Sequence, residues 1–314
     1  MIRTITILTL LLLISFQGFA QREDKGARPV LNGHSFIPLS VNRTPFTNSK
    51  ITMPLGFGQT NGFDFPLPDI GPIDSLPTLD GEVIFATLGL QYRQKVRQNV
   101  AFYTRIEIAA RVGTDINSLL LEGLDNVISF ELGTMINVWE TEKISLSTSA
   151  RVMNLEGNFL DIKGYIQDLL DSSAVDPSIS ETVPALNAGV GVHFAWGISP
   201  TFGFTSSMSL TYGETFTRGN SDFRFAIGGF LEADFKPRFN VPIGLSFGLF
   251  TTTEPEFVYV DDKSAQVYIT KLSYTGRSDF NFGIELGKAT IPFESTETRP
   301  SVDLFQLSMS YYFN

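Results

Sequence analysis

From about residue 50 to its last residue but one, this chain repeats one pattern: apolar side chains on alternate positions, in segments too long for ordinary soluble strands. In "TFGFTSSMSLTYG", Phe202, Phe204, Met208, Leu210 and Tyr212 share one parity, while Gly203, Thr205, Ser207, Ser209 and Thr211 fill the other. A period of two is the signature of a strand with two unlike faces. The pattern recurs with Val100, Phe102, Ile106 and Ile108 against Arg105, Glu107 and Arg111. It recurs again with Phe223, Phe225, Ile227 and Leu231 against Arg224, Glu232 and Asp234.

Alternation alone does not separate a soluble sandwich from a membrane barrel, because both need strands with one apolar face. Strand and connection lengths do. The spacing predicts strands at 51–60, 83–94, 99–113, 127–139, 143–155, 184–197, 201–213, 222–235, 241–253, 265–275, 279–288 and 302–313. Most reach the roughly 9 to 11 residues that a tilted strand needs to cross a bilayer. Long polar connections at 61–82, 114–126, 156–183, 214–221, 254–264 and 289–301 alternate with the tight turns "KVRQN", "TEK", "ISP", "KPRFN" and "GRS". A barrel in an outer membrane sorts its connections this way, with turns on one side and loops on the other. The expected fold is therefore all-β: a closed antiparallel transmembrane β-barrel of about 12 strands, with 10 to 14 allowed by weak patterning in the first and tenth strands.

The first twenty residues, "MIRTITILTLLLLISFQGFA", join Arg3, a short apolar run and small residues before Gln21. They read as a signal peptide cleaved after Ala20. With Arg3 the only charge in that segment, cleavage takes the 23 Lys and Arg to 22 against 33 Asp and Glu, a net charge of −11. Nucleic acid is not an expected partner of so acidic a chain. Cysteine is absent, which removes disulfides, thiolate metal sites and a lipoprotein anchor. The expected location is the outer membrane, in a lipid bilayer with lipopolysaccharide.

Two segments break the hairpin rhythm. Residues 21–50 contain Pro29, Pro38 and Pro45 without a sustained period, and read as a periplasmic leader or a hatch in the lumen ahead of the barrel at 51–314. In "FLDIKGYIQDLLD", Phe159, Ile162, Tyr165, Ile166, Leu169 and Leu170 recur at helical spacing. That predicts one short amphipathic helix in an extracellular loop, capping the mouth or packed on its loop neighbours.

The charges on the inward parity are Arg105, Glu107, Arg111, Glu131, Arg151, Arg224, Glu232, Asp234 and Glu285, and His193 shares it. They are candidate lumen-lining residues, because charge inside a membrane protein is kept to a wet or paired interior. Two readings stay open, a solute pathway and an ion-paired plug. Catalytic, cofactor and metal sites are not expected: the chain has two histidines, His34 and His193, and Asp261-Asp262 matches no calcium loop. A lipid hydrolase would place His193 outside.

Aromatic residues that would ring the turn-side interface are Tyr92, Trp139, Phe194, Trp196, Phe235, Tyr311, Tyr312 and Phe313, with Trp139 on the inward parity. The last strand, "LFQLSMSYYFN", carries Tyr311 and Phe313 as a candidate signal for the barrel-insertion machinery.

The signal ending, the Pro-rich leader, paired strands such as "GVGVHFAWGISPTFGFTSSMSLTYG" and the closing "YYFN" resemble outer-membrane barrels of Bacteroidota-like bacteria. More distantly, the layout is similar to the long-chain fatty-acid transporter superfamily, whose members carry an N-terminal hatch. Here "NRTPF" separates the Asn42 and Pro45 that the family's motif joins, and the family usually has fourteen strands. The resemblance implies a porin-like channel or transporter for small or hydrophobic solutes. The other reading is a non-transporting scaffold that binds a partner through 156–183.

Overall fold

In the computed structural model the described residues are 27–60, 63–65, 79–81, 84–112, 123–160, 180–214, 221–253, 264–290 and 301–314. The signal segment 1–20, residues 21–26, most of the expected loop helix, and Asp261-Asp262 lie outside them.

Two two-residue strands, β1 (Val30–Leu31) and β2 (His34–Ser35), form a hairpin. Asn32 (φ 50°) and Gly33 (φ 78°) make its turn, the Asn-Gly pair that a tight hairpin favours because both positions need positive φ. The barrel strands follow. They are β3 (Ser49–Thr60), β6 (Ile84–Arg97), β7 (Val100–Val112), β8 (Gly123–Glu140), β9 (Ile144–Leu160), β10 (Ser180–Gly197), β11 (Phe202–Glu214), β12 (Ser221–Asp234), β13 (Ile243–Thr252), β14 (Ala265–Tyr274), β15 (Phe280–Thr290) and β16 (Ser301–Phe313). A short pair, β4 (Phe63–Phe65) and β5 (Leu79–Gly81), extends from the first loop.

Twelve antiparallel strands close in chain order, with β16 returning to β3. The seam runs from Val302 opposite Thr60 to Phe313 opposite Ser49. Closure leaves no unpaired strand edge, which is the condition for strands to sit in lipid.

The outer face is apolar and exposed along its length, including Leu55, Phe57, Leu88, Val190, Leu231, Phe247 and Leu286. On β11 the outward row runs from Phe202 to Tyr212. Those ten residue steps, at about 3.4 Å each and a typical tilt of about 40°, span about 26 Å of height, close to the roughly 25 Å apolar band of a membrane barrel.

The structure corrects two expectations, the end of the fifth barrel strand and the facing of Trp139. Phe159 and Leu160 are strand, pairing with β8 on one side and β10 on the other, so β9 runs to Leu160 where the spacing ends it at 155. The helix among the described residues is α1 (Lys236–Phe239), one turn between β12 and β13, with Pro in its first turn and Asn240 (φ 55°) closing it. A bulge at Val138 brings Trp139 opposite Leu146, so Trp139 points outward and is 55% exposed.

Candidate functional site: the plugged lumen

Residues 27–48 enter the barrel at its short-turn end and are sewn to the turns there. The Arg28 amide donates to the Ser278 carbonyl (2.7 Å) and the Asn32 amide to Glu142 (2.6 Å). The Asn32 side chain reaches the Gly197 carbonyl (3.0 Å), and the Thr47 hydroxyl reaches the Gln98 carbonyl (3.0 Å). These four anchors lie on four different turns; the segment they hold against the inner face is called the plug below.

The wall makes room for it with glycines on the inward parity. A Cβ added at Gly197 would strike the Leu31 carbonyl, at Gly203 the His34 ring, and at Gly244 the end of Ile37. In β11 and β13 the small inward positions thus provide the space the plug occupies. Leu31, Phe36 and Phe46 pack with Ala195 on one side, while Leu39 joins Phe230, Phe250, Val267 and Ile269 on the other.

Three wall carboxylates grip the plug at every third residue. Glu232 accepts from the Ile37 amide, Glu285 from the Ser40 amide (3.2 Å) and hydroxyl (2.7 Å), and Glu131 from both terminal nitrogens of Arg43 (2.5 Å each). Plug carbonyls are taken by cations and hydroxyls. Lys271 donates to Pro38 (2.8 Å), Ser246 to Ile37 (2.8 Å), Arg93 to Phe46 (2.5 Å), and Ser147 to Pro45. Asn42 donates to Thr205 (2.7 Å), which in turn donates to Glu232 (3.0 Å). An irregular backbone in a barrel needs such partners, since each buried unpaired amide costs about 1–3 kcal/mol.

Three ion pairs stand beside these contacts: Arg28 with Asp234 (3.7 Å), Arg151 with Glu131 (3.8 Å) and Lys271 with Glu285 (3.1 Å). His34 lies at the bottom, fully buried, its ring edge-on to Phe36 with centroids 4.8 Å apart. Burial pushes its imidazole down from 6.5 to about 4, partly opposed by the nearby Asp234 carboxylate.

Of the ten sequence-derived candidates, Glu131, Glu232, Asp234 and Glu285 touch the plug directly, and Arg151 is joined to it through Glu131. His193 is buried on the inner face, 2.8 Å from the Ser149 hydroxyl. Arg224 bonds Asn187 (2.9 Å) and the Glu214 carbonyl (3.0 Å). Arg105 pairs with Glu107 on the same strand, and both stay partly exposed, as does Arg111. Beyond the plug tip the inner face is two-sided. Ala226, Phe250, Val267, Ala289 and Val302 are apolar across β12 to β16, and the arginines lie on β7, β9 and the loop end of β12.

Lys271, Lys50 and Arg93 escaped the sequence reading. Lys271 shares its parity with Val267 and Ile269, because the inner face of β14 packs on Leu39, and this blurs the alternation. Lys50 precedes the expected start of the first strand by one residue. Of the aromatic ring, Trp196 and Tyr311 are exposed, whereas Tyr312 turns inward and is buried.

No family model and no curated protein matches the sequence. Among solved structures, the chain is similar to the NanC porin, with 9% identity, TM-score 0.47, and coverage of 82% of this chain and 98% of that one. It is also similar to a Pseudomonas aeruginosa FadL homologue, with 9% identity, TM-score 0.44, and coverage of 93% and 100%. The translocator domain of the autotransporter NalP from Neisseria meningitidis is similar at 11% identity and TM-score 0.46, covering 85% and 90%.

Proposed function

We propose that this protein is an outer-membrane channel or transporter for small or hydrophobic solutes, gated by its N-terminal plug. The observation that carries the reading is the chemistry of the plug contact. Beside its apolar packing, the segment is held by hydrogen bonds and ion pairs to polar wall residues, groups that water can replace when the plug moves. Buried ion pairs fix position more than they add stability, which suits a part that must be located yet released. The apolar sector across β12 to β16 supports passage of solutes with apolar surface. His193 faces the interior and not the lipid, so a lipid-modifying activity is not part of this reading.

In the same proposal the turn side is periplasmic, the signal peptide is removed after Ala20, and the belt sits in lipid with lipopolysaccharide in the outer leaflet. Tyr311 and Phe313 address the insertion machinery. Their rings stack outward at the turn side with centroids 6.4 Å apart.

Planar-bilayer recordings of the mature chain and of a chain lacking residues 21–48 test it. The expected result is low or intermittent conductance for the first and steady conductance for the second. A closed barrel in both would overturn the proposal.

One observation favours a second reading, a scaffold that transports nothing: the plug is anchored to four turns and to the wall strands between them. Deleting 161–179, which leaves β9 and β10 whole, would then abolish recovery of a surface partner. Unchanged recovery would remove that reading.

A further inference from the structure

Lys50 on β3 and Arg93 on β6 are direct cross-strand partners on the inner face. Each is only 7% exposed. Like charges placed directly opposite repel, and a buried cation without a counter-charge is costly.

The other cations at the contact of plug and wall have carboxylate partners: Arg28 with Asp234, Arg43 with Glu131, Lys271 with Glu285. Neither Lys50 nor Arg93 forms an ion pair among the described residues. Arg93 uses one terminal nitrogen on the Phe46 carbonyl, and its other terminal nitrogen makes no hydrogen bond among the described residues and is not among the atoms sealed from solvent. The Lys50 ammonium makes no hydrogen bond among the described residues, and it is not among the atoms sealed from solvent. On the other side of Lys50 stands Tyr312, its partner across the seam and itself buried.

An ammonium, a free guanidinium N–H and no opposing carboxylate form a donor set that lacks its acceptor. We propose that Lys50 and Arg93 hold a small inorganic anion, a halide or an oxyanion, where the plug passes into the first barrel strand. The ion relieves the repulsion across β3 and β6. Because Arg93 also holds the Phe46 carbonyl, the ion fastens the end of the plug to the barrel beside its seam.

Thermal unfolding of the full mature chain in a zwitterionic detergent tests this, with sodium chloride or sodium phosphate exchanged for sodium gluconate at constant ionic strength. The wild type is expected to gain about 2–4 °C in a saturable manner with a small anion that binds. The chloride and phosphate arms decide between halide and oxyanion. Lys50→Met is expected to melt above the wild type in gluconate, since the repulsion is gone, and to ignore the small anions. A wild type indifferent to the anion overturns the proposal whether or not the variant folds. An equal response in Lys50→Met also overturns it.

Discussion

Arg43 of the plug lays its two terminal nitrogens on the two carboxylate oxygens of Glu131, each 2.5 Å away, in the middle of β8. The pair connects onward, Glu131 to Arg151 (3.8 Å) and Arg43 to the Tyr103 hydroxyl (3.1 Å). Removing Arg43 leaves Glu131 buried with Arg151 as its remaining counter-charge, so the loss falls below the roughly 3–5 kcal/mol of a wholly uncompensated buried charge.

Arg43→Ala is therefore expected to weaken plug docking by about one to two orders of magnitude, since each 1.4 kcal/mol is tenfold. Channel open time in planar bilayers should rise accordingly. Open times equal to wild type would show that the pair does not hold the plug.

Gly197→Ala should displace the β1–β2 hairpin, because the added Cβ meets the Leu31 carbonyl, a backbone atom that cannot swing aside. Gly229→Ala is the control, as its Cβ would meet nothing nearer than 3.6 Å, on Phe204. The chain has no cysteine, so a spin label at Val30→Cys can report the hairpin's position. Line shapes should change with Gly197→Ala and stay constant with Gly229→Ala.

Acid should loosen the plug through His34. Above about pH 6.5 the ring is neutral whether docked or released, so it adds no pH dependence. Between 6.5 and about 4 the released ring takes a proton that the docked ring refuses. Docking weakens progressively as pH falls through that window, by at most about 3 kcal/mol. His34→Phe should lose this part of the response. Identical pH profiles by the same spin label would exclude the histidine.

Deleting Tyr311 to Asn314 removes the last rungs of the seam, Tyr311 opposite Ile51, Tyr312 opposite Lys50 and Phe313 opposite Ser49. The truncated chain is expected to stay unassembled, with no heat-modifiable band on a gel. A normal band would mean the ending is dispensable.

Trp139 and Trp196, the two tryptophans of the chain, are 55% and 42% exposed on the outer face near the turns. In liposomes, lipids brominated near the headgroup should quench them more strongly than lipids brominated at the chain end. The reverse order would place the turn side deeper than a girdle belongs.

The barrel was legible because each of its causes is local. Period-two alternation fixes which side chains face out, and turn or loop length fixes which ends meet, so the twelve predicted strands coincide with the observed ones to within a few residues. The inward parity of Glu131, Glu232 and Glu285 followed from the same count. Local pattern failed where something else intervened. The bulge at Val138 reversed Trp139, and the apolar inner face of β14 hid Lys271.

The plug shows the division most clearly. Its one local signal is Asn32-Gly33, which marks a tight turn. Prolines and mixed polarity state only that residues 27–48 do not form a long strand or helix. Which carboxylate meets Ile37, Ser40 or Arg43 depends on bringing β12, β15 and β8 around one axis. The sequence alone determined a two-faced wall and its closure, because strand pairing is repeated and short-ranged. The filling of that wall was decided only when closure placed distant residues within hydrogen-bond reach, and the β3–β6 register, not closure, put Lys50 opposite Arg93.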